Sequence, residues 1–242
     1  MKRTIIAITA CILLMNIGGN VSAEEIGWKR KISIGYNQAN GNTEKSQLAL
    51  AGSIKKVMDS SEFFSGVDVF YSESEGKMDS QKWSSTTRYS YDFGEEKRWF
   101  NSFQLLVEHD FFADVDYRIL PSTGIGYWWA REDDWTLSTE AGLGYNITNY
   151  KSAQPDDESV TAYGRIFAKK QILENAFLSE DFYVYPSLEG DGTSLKSTTE
   201  FTNPVSKNMD LSVKFTVDYD TDPSAGKKNT DTLLITGLNY TF

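Results

Sequence analysis

From Trp28 to Phe242 the chain alternates bulky apolar and polar residues with a period of two, almost without a break. Met209, Leu211, Val213, Phe215, Val217 and Tyr219 alternate with Asp210, Ser212, Lys214, Thr216, Asp218 and Asp220. Trp135, Leu137, Ala141, Leu143, Tyr145 and Ile147 alternate with Thr136, Ser138, Glu140, Gly142, Gly144 and Asn146. This period belongs to strands with two unlike faces, and no comparable helical period occurs. The expected fold is all-β.

Turn chemistry rich in Gly, Asn, Asp, Ser and Pro interrupts the pattern at 38–42, 58–61, 74–79, 94–97, 113–114, 132–134, 153–157, 173–175, 190–192, 203–204 and 220–226. Eleven breaks predict about 12 strands, an even number as single-chain barrels require. No linker or second domain is visible.

Two faces leave open which one points outward. A soluble barrel or sandwich hides its bulky face and has no need of small residues on the other. Here the polar face carries Gly35, Ala49, Ala51, Ser53, Gly66, Gly124, Gly126, Gly142 and Gly144, small residues that suit a curved lumen. Aromatics fall in two bands: Phe93, Trp99, Phe100, Tyr127, Trp128, Trp129 and Trp135 at one set of strand ends, and Tyr71, Trp83, Phe111, Phe112, Tyr117, Tyr145 and Tyr219 at the other. Such bands suit the two headgroup levels of a bilayer. The last strand places Leu234, Leu238, Tyr240 and Phe242 on one face and Asp231, Gly237, Asn239 and Thr241 on the other. The sequence thus predicts an antiparallel up-and-down transmembrane β-barrel at 24–242, with outer-membrane lipids against its apolar face. Tyr240 and Phe242 resemble the terminal signal read by barrel-assembly machinery, a partner expected during insertion.

Residues 1–23 are read as a cleavable signal peptide: Met1-Lys-Arg, an apolar run from Ile5 to Ile17, and a small-x-small ending at Ala23. Ile8-Thr-Ala-Cys11 also resembles a lipoprotein processing site, but the apolar run continues past Cys11. Cleavage would remove the single cysteine and, with Lys2 and Arg3, shift the formal net charge from −10 to −12. An acidic chain argues against nucleic acid as a partner. With His109 the only histidine, a histidine-based metal site is not expected, and no cofactor is predicted.

The 40–43 hairpin, the 114–118 stretch leading into Gly124-Ile-Gly-Tyr127, and the 219–226 segment leading to Asp231 resemble, across essentially the whole mature chain, the YdiY-like family, whose members are labelled salt-induced outer-membrane proteins. The resemblance implies an outer-membrane barrel of a Gram-negative bacterium and brings no catalytic set with it.

Alternation puts Arg88, Glu108, Asp110, Arg118, Glu140, Arg165, Lys169, Glu200, Asp210, Lys214 and Asp218 on the lumen face. Both charge signs there suit either a solute-selecting field or a salt-bridged plug. His109 falls on the lipid face, where a serine–histidine lipid hydrolase would need it, yet neither a serine partner nor an orienting acid is evident from spacing. The expectation is a porin-like barrel, not an enzyme: a narrow pore for small solutes or ions, or an osmotically responsive envelope protein. A lipid-acting enzyme, a plugged structural barrel and a soluble periplasmic β-protein stand as alternatives. Asp156-Asp-Glu158 and Asp220-Thr-Asp222 are expected to be solvated acidic loop tips rather than cation sites.

Overall fold

The computed structural model describes residues 27–39, 45–111, 113–152, 155–189, 192–223 and 228–242. The expected signal peptide, Cys11, the 40–43 hairpin and Phe112 lie outside them.

Twelve strands follow one another: β1 Gly27–Ala39, β2 Lys45–Val57, β3 Ser61–Ser74, β4 Lys77–Phe93, β5 Trp99–Asp110, β6 Val115–Arg131, β7 Trp135–Tyr150, β8 Asp157–Gln171, β9 Phe177–Pro186, β10 Thr193–Ser206, β11 Met209–Asp220 and β12 Thr230–Thr241. Each pairs antiparallel with its sequence neighbours, and β1 pairs with β12, so the sheet closes into a barrel with no free edge. Among the described residues the only helical element is the 3₁₀ turn Glu95–Lys97.

Local chemistry sets the turns. Glu75 and Gly76 both take positive φ, 52° and 69°, as a two-residue hairpin turn twisted with its strands requires. Ten of the eleven expected breaks fall at strand ends; Asn203-Pro204 does not. β10 runs on to Ser206, Pro204 pairs with Asp210, and the turn is Lys207-Asn208. β9 pairing reaches only as far as Thr202. Pro204 therefore lies where one flank of β10 has no ladder to satisfy, the place where a strand tolerates proline.

The bulky face points outward. Ile32, Ile34, Phe103, Leu143 and Leu234 are each more than half exposed, far too much contiguous apolar surface for a water-soluble monomer. Rings edge this belt. At the end carrying the start of β1 and the finish of β12, the near end, stand Trp28, Trp99, Tyr127, Trp129, Trp135, Tyr240 and Phe242; Trp99, Tyr127 and Trp129 touch ring to ring at 5.0 and 4.9 Å. Towards the far end, Trp83 stacks on His109 with Tyr117 and Tyr145 nearby along the rim. The fold is a transmembrane barrel.

Two rings of the expected near-end band turn inward instead. Phe100 is 1% exposed, and Trp128 packs against it at 5.0 Å. Tyr127, Trp128 and Trp129 cannot share one face of a strand, and Trp128 takes the inner one. Its Nε1 donates to Asp92 (3.2 Å), which also pairs with Arg131 (2.7 Å).

Candidate functional site: the barrel lumen

The small inward residues make room for side chains rather than for open water. Gly124 and Gly142 lie opposite each other on β6 and β7, leaving the space that Tyr163 of β8 fills. Tyr163 donates to Glu140 Oε1 at 2.5 Å, and Ser102 donates to the same oxygen. Arg88 of β4 reaches across to Glu140 of β7 with Nη2–Oε2 at 2.6 Å and Nη1–Oε1 at 3.3 Å. Arg165 stands 3.7 Å from Glu140 and grips Asp181 through two contacts of 2.7 and 2.9 Å. Glu140 is 1% exposed at its side chain, and a buried charge of that kind persists only when paired and hydrogen-bonded. Tyr183 and Tyr185 stack beside this network, with the Arg165 guanidinium over Tyr183. One wall of the lumen, β4 to β9, is a consolidated polar and aromatic core.

Two further ion pairs bridge walls. Lys214 of β11 meets Asp68 of β3 at 3.1 Å, and Lys82 of β4 meets Asp218 of β11 at 3.7 Å. β4 and β11 lie five strands apart around a ring of twelve, so these pairs cross the bore. Lys196 also approaches Asp218 (3.9 Å), Glu108 pairs with Arg118 (2.7 Å), and Lys31 stands 3.7 Å from Glu200. Unlike the Glu140 network, the crossing pairs are solvated: Lys214 and Asp68 side chains are 30% and 56% exposed.

A family model described as "Protein of unknown function, DUF481" matches residues 32–242. The chain belongs to the DUF481 family. No curated protein matches it. Solved structures share its fold at low identity: the NanC porin superposes with a TM-score of 0.52 at 8% identity, covering 87% of this chain and 98% of its own. The translocator domain of the autotransporter NalP from Neisseria meningitidis gives 0.52 at 11%, covering 88% and 86%.

In this DUF481 barrel the eleven charged residues read from alternation divide into groups. Arg88, Glu140 and Arg165 join the buried network; Lys214 and Asp218 lie in the solvated bridges, and Glu108 and Arg118 pair with each other between adjacent strands. Asp110 sits at the far rim, accepting from the Ala113 backbone N–H (2.9 Å) and so capping the β5–β6 turn. Lys169, Glu200 and Asp210 line a cavity towards the near end. The acidic tips are turn acceptors: Asp157 receives Asn146 and Asp220 receives the Asp222 N–H. His109 faces outward, its Nδ1 donating to the Asp116 carbonyl at 2.5 Å.

Several lumen residues escaped the sequence reading. Tyr163, Tyr183 and Tyr185 share the parity of Arg165 and Asp181, a signal that could have placed them inside. Lys82, Asp68 and Lys196 were legible by the same rule. Some carboxylates stand on the opposite face. Glu180 points outward between Ala168 and Thr199, two residues beyond Leu178, whose partner Lys170 pairs with the girdle residue Trp135. It accepts from Ser197 and Thr199, each at 2.5 Å.

Proposed function

We propose that this chain is an outer-membrane protein, exported by a signal in residues 1–23, whose lumen is a narrow pore for small ions and polar solutes, closed by ion pairs that salt weakens. The single observation carrying this reading is the pair of solvated bridges across the bore, Lys214–Asp68 and Lys82–Asp218. Pairs this exposed are worth about 0–1 kcal/mol each. Screening shortens from about 10 Å at 0.1 M salt to about 3 Å at 1 M, which removes most of that attraction. The buried Arg88–Glu140 wall is shielded and keeps its shape. A bore that loosens as ionic strength rises agrees with the salt-induced label of the YdiY-like family.

The test is planar-bilayer recording of purified, refolded protein between 0.1 and 1 M KCl. Conductance should rise more steeply than bath conductivity, and Asp68→Asn should flatten that excess. Absence of any conductance step at either salt would leave a plugged structural barrel. We further propose that the protein is not an enzyme. With its Nδ1 proton held by a carbonyl and its ring against Trp83, His109 serves as an interfacial anchor, so His109→Ala should leave any lipid turnover unchanged.

A further inference from the structure

The apolar belt on the outer face has a furrow near the β1–β12 seam. Gly52 points outward from β2 between Ile32 of β1 and Val67 of β3, with nothing within 4 Å of where a side chain would begin. Its neighbours on the same face of β2, Leu50 and Ile54, are exposed apolar side chains. The missing side chain leaves a cavity of about 270 Å³ walled by Ile32, Ile54 and Val67. Arg30 and Phe242 line it towards the near end, where the Phe242 N–H donates to the Arg30 carbonyl at 3.0 Å.

Two cations stand at that rim. Alternation places Arg30 outward with Ile32, and Lys56 outward with Ile54. Both approach the girdle ring of Trp28, at 6.0 and 5.1 Å from its centre. Neither meets a carboxylate among the described residues. The next lysine on β2 faces inward and differs: Lys55 pairs with Glu62 at 2.9 Å. Two like charges on one ring repel each other, and an anion between them relieves both.

This face meets lipid, so its occupant comes from the bilayer. An apolar furrow running inward from two cations at headgroup level is complementary to an amphiphile with an anionic phosphate. Phosphate oxygens match the guanidinium fork, and clustered basic residues at a membrane surface attract acidic headgroups. An acyl chain lying over Gly52 gains van der Waals contact on three sides. A second copy packed through the same face would set cations against cations. We propose that this furrow is a binding site for one anionic phospholipid, its phosphate between Arg30 and Lys56 and an acyl chain along Gly52. The site asks nothing of the lumen and stands whether or not the barrel conducts.

Native mass spectrometry of the refolded barrel, released from micelles containing phosphatidylglycerol or phosphatidylcholine of equal chain length, tests it. One phosphatidylglycerol should be retained about tenfold more tightly than phosphatidylcholine, a difference of roughly 1.4 kcal/mol. The double replacement Arg30→Gln with Lys56→Gln should abolish that preference. Gly52→Leu fills the furrow and should weaken both lipids while keeping their ratio. Lys170→Gln removes another outer cation, the one beside Trp135, and should change nothing. Heat-dependent gel mobility checks that each variant forms the barrel. Equal retention of the two lipids would overturn the assignment, as would a preference that survives the double replacement or falls as far in Lys170→Gln. Parent-like retention by Gly52→Leu would remove the chain from the furrow and overturn it too. A dimer lost on Arg30→Gln would put a second copy there instead.

Discussion

Glutamine in place of Glu140 would test whether the β4–β9 wall is held by charge. The substitution keeps shape and one acceptor oxygen, so Ser102 and Tyr163 retain a partner. Arg88 loses its 2.6 Å bond to Oε2 and its counter-charge, keeping among the described residues only the longer contacts to the amide oxygen at position 140 at 3.3 Å and to Gln104 at 3.4 Å, with its side chain 13% exposed. Breaking a buried pair by removing one member costs about 3–5 kcal/mol. The retained acceptor and the slight exposure of Arg88 put Glu140→Gln near the low end, about 3 kcal/mol. Asp68→Asn, which breaks a bridge in solvent, should cost under about 1 kcal/mol. Reversible denaturant unfolding of the protein in lipid vesicles, followed through its six tryptophans, gives both numbers from midpoint shifts at constant slope. The double replacement Arg88→Met with Glu140→Gln should recover most of the Glu140→Gln loss, because it removes the orphaned guanidinium while the amide oxygen still accepts from Ser102 and Tyr163. Equal losses for Glu140→Gln and Asp68→Asn would refute the reasoning, as would a double variant no better than Glu140→Gln alone.

Three further outcomes follow from local geometry. Gly142→Ala would set a methyl group against the Thr123 carbonyl and the Tyr163 ring and should cost at least about 3 kcal/mol by overpacking or prevent assembly, read by gel mobility; Gly52→Ala, with nothing within 4 Å, should assemble normally. In the β2–β3 turn, hydrogen bonds from Lys97 and then Ser60 hold the Asp59 carboxyl below its ordinary 3.8. The stabilisation from that link is therefore fully present above 3.8 and lost as pH falls through the lower folded value. Carboxyl NMR titration should find a midpoint below 3.8 that returns towards it in Lys97→Ala; a parent midpoint at or above 3.8 would contradict this. Glu180→Leu should stabilise the barrel by roughly 1 kcal/mol, since a carboxylate on the lipid face is unfavourable, though less so than Lys or Arg. A loss of stability in the same unfolding assay would mean that something in the membrane binds this group.

The period of two was enough to read the strands, because a barrel wall repeats one rule at every step. It failed where another constraint outranked alternation. Pro204 looked like a turn because proline breaks ladders, yet it sits where β9 has already ended. Trp128 looked like a girdle residue because it stands between two of them, but parity sends it inward. Parity assigns a charge to a face of its strand; it does not say which charges meet. Lys214 and Asp68 are 146 residues apart, and only the circumference and stagger of the closed barrel bring them together. The Glu140 network had the same difficulty, with a composition rule of small or charged residues inside hiding the three lumen tyrosines.

The ladder between β1 and β12 has consequences of its own. Lys31 to Gly35 meets Gly237 to Thr241 in five registered pairs, the fewest of the twelve ladders among the described residues, and Gly35 faces Gly237 with no side chains between. Every other ladder joins strands a short turn apart. This one joins the two ends of about two hundred residues, a loop whose closure entropy exceeds that of a hairpin by about 3 kcal/mol. The join with the least to gain therefore has the most to overcome, and it yields little until its neighbours are in place. Folding should proceed as a growing curled ribbon that becomes a barrel in one late step. Unfolding should begin by parting that same line, which makes the seam, and not the charged lumen, the limit on how long the closed barrel lasts.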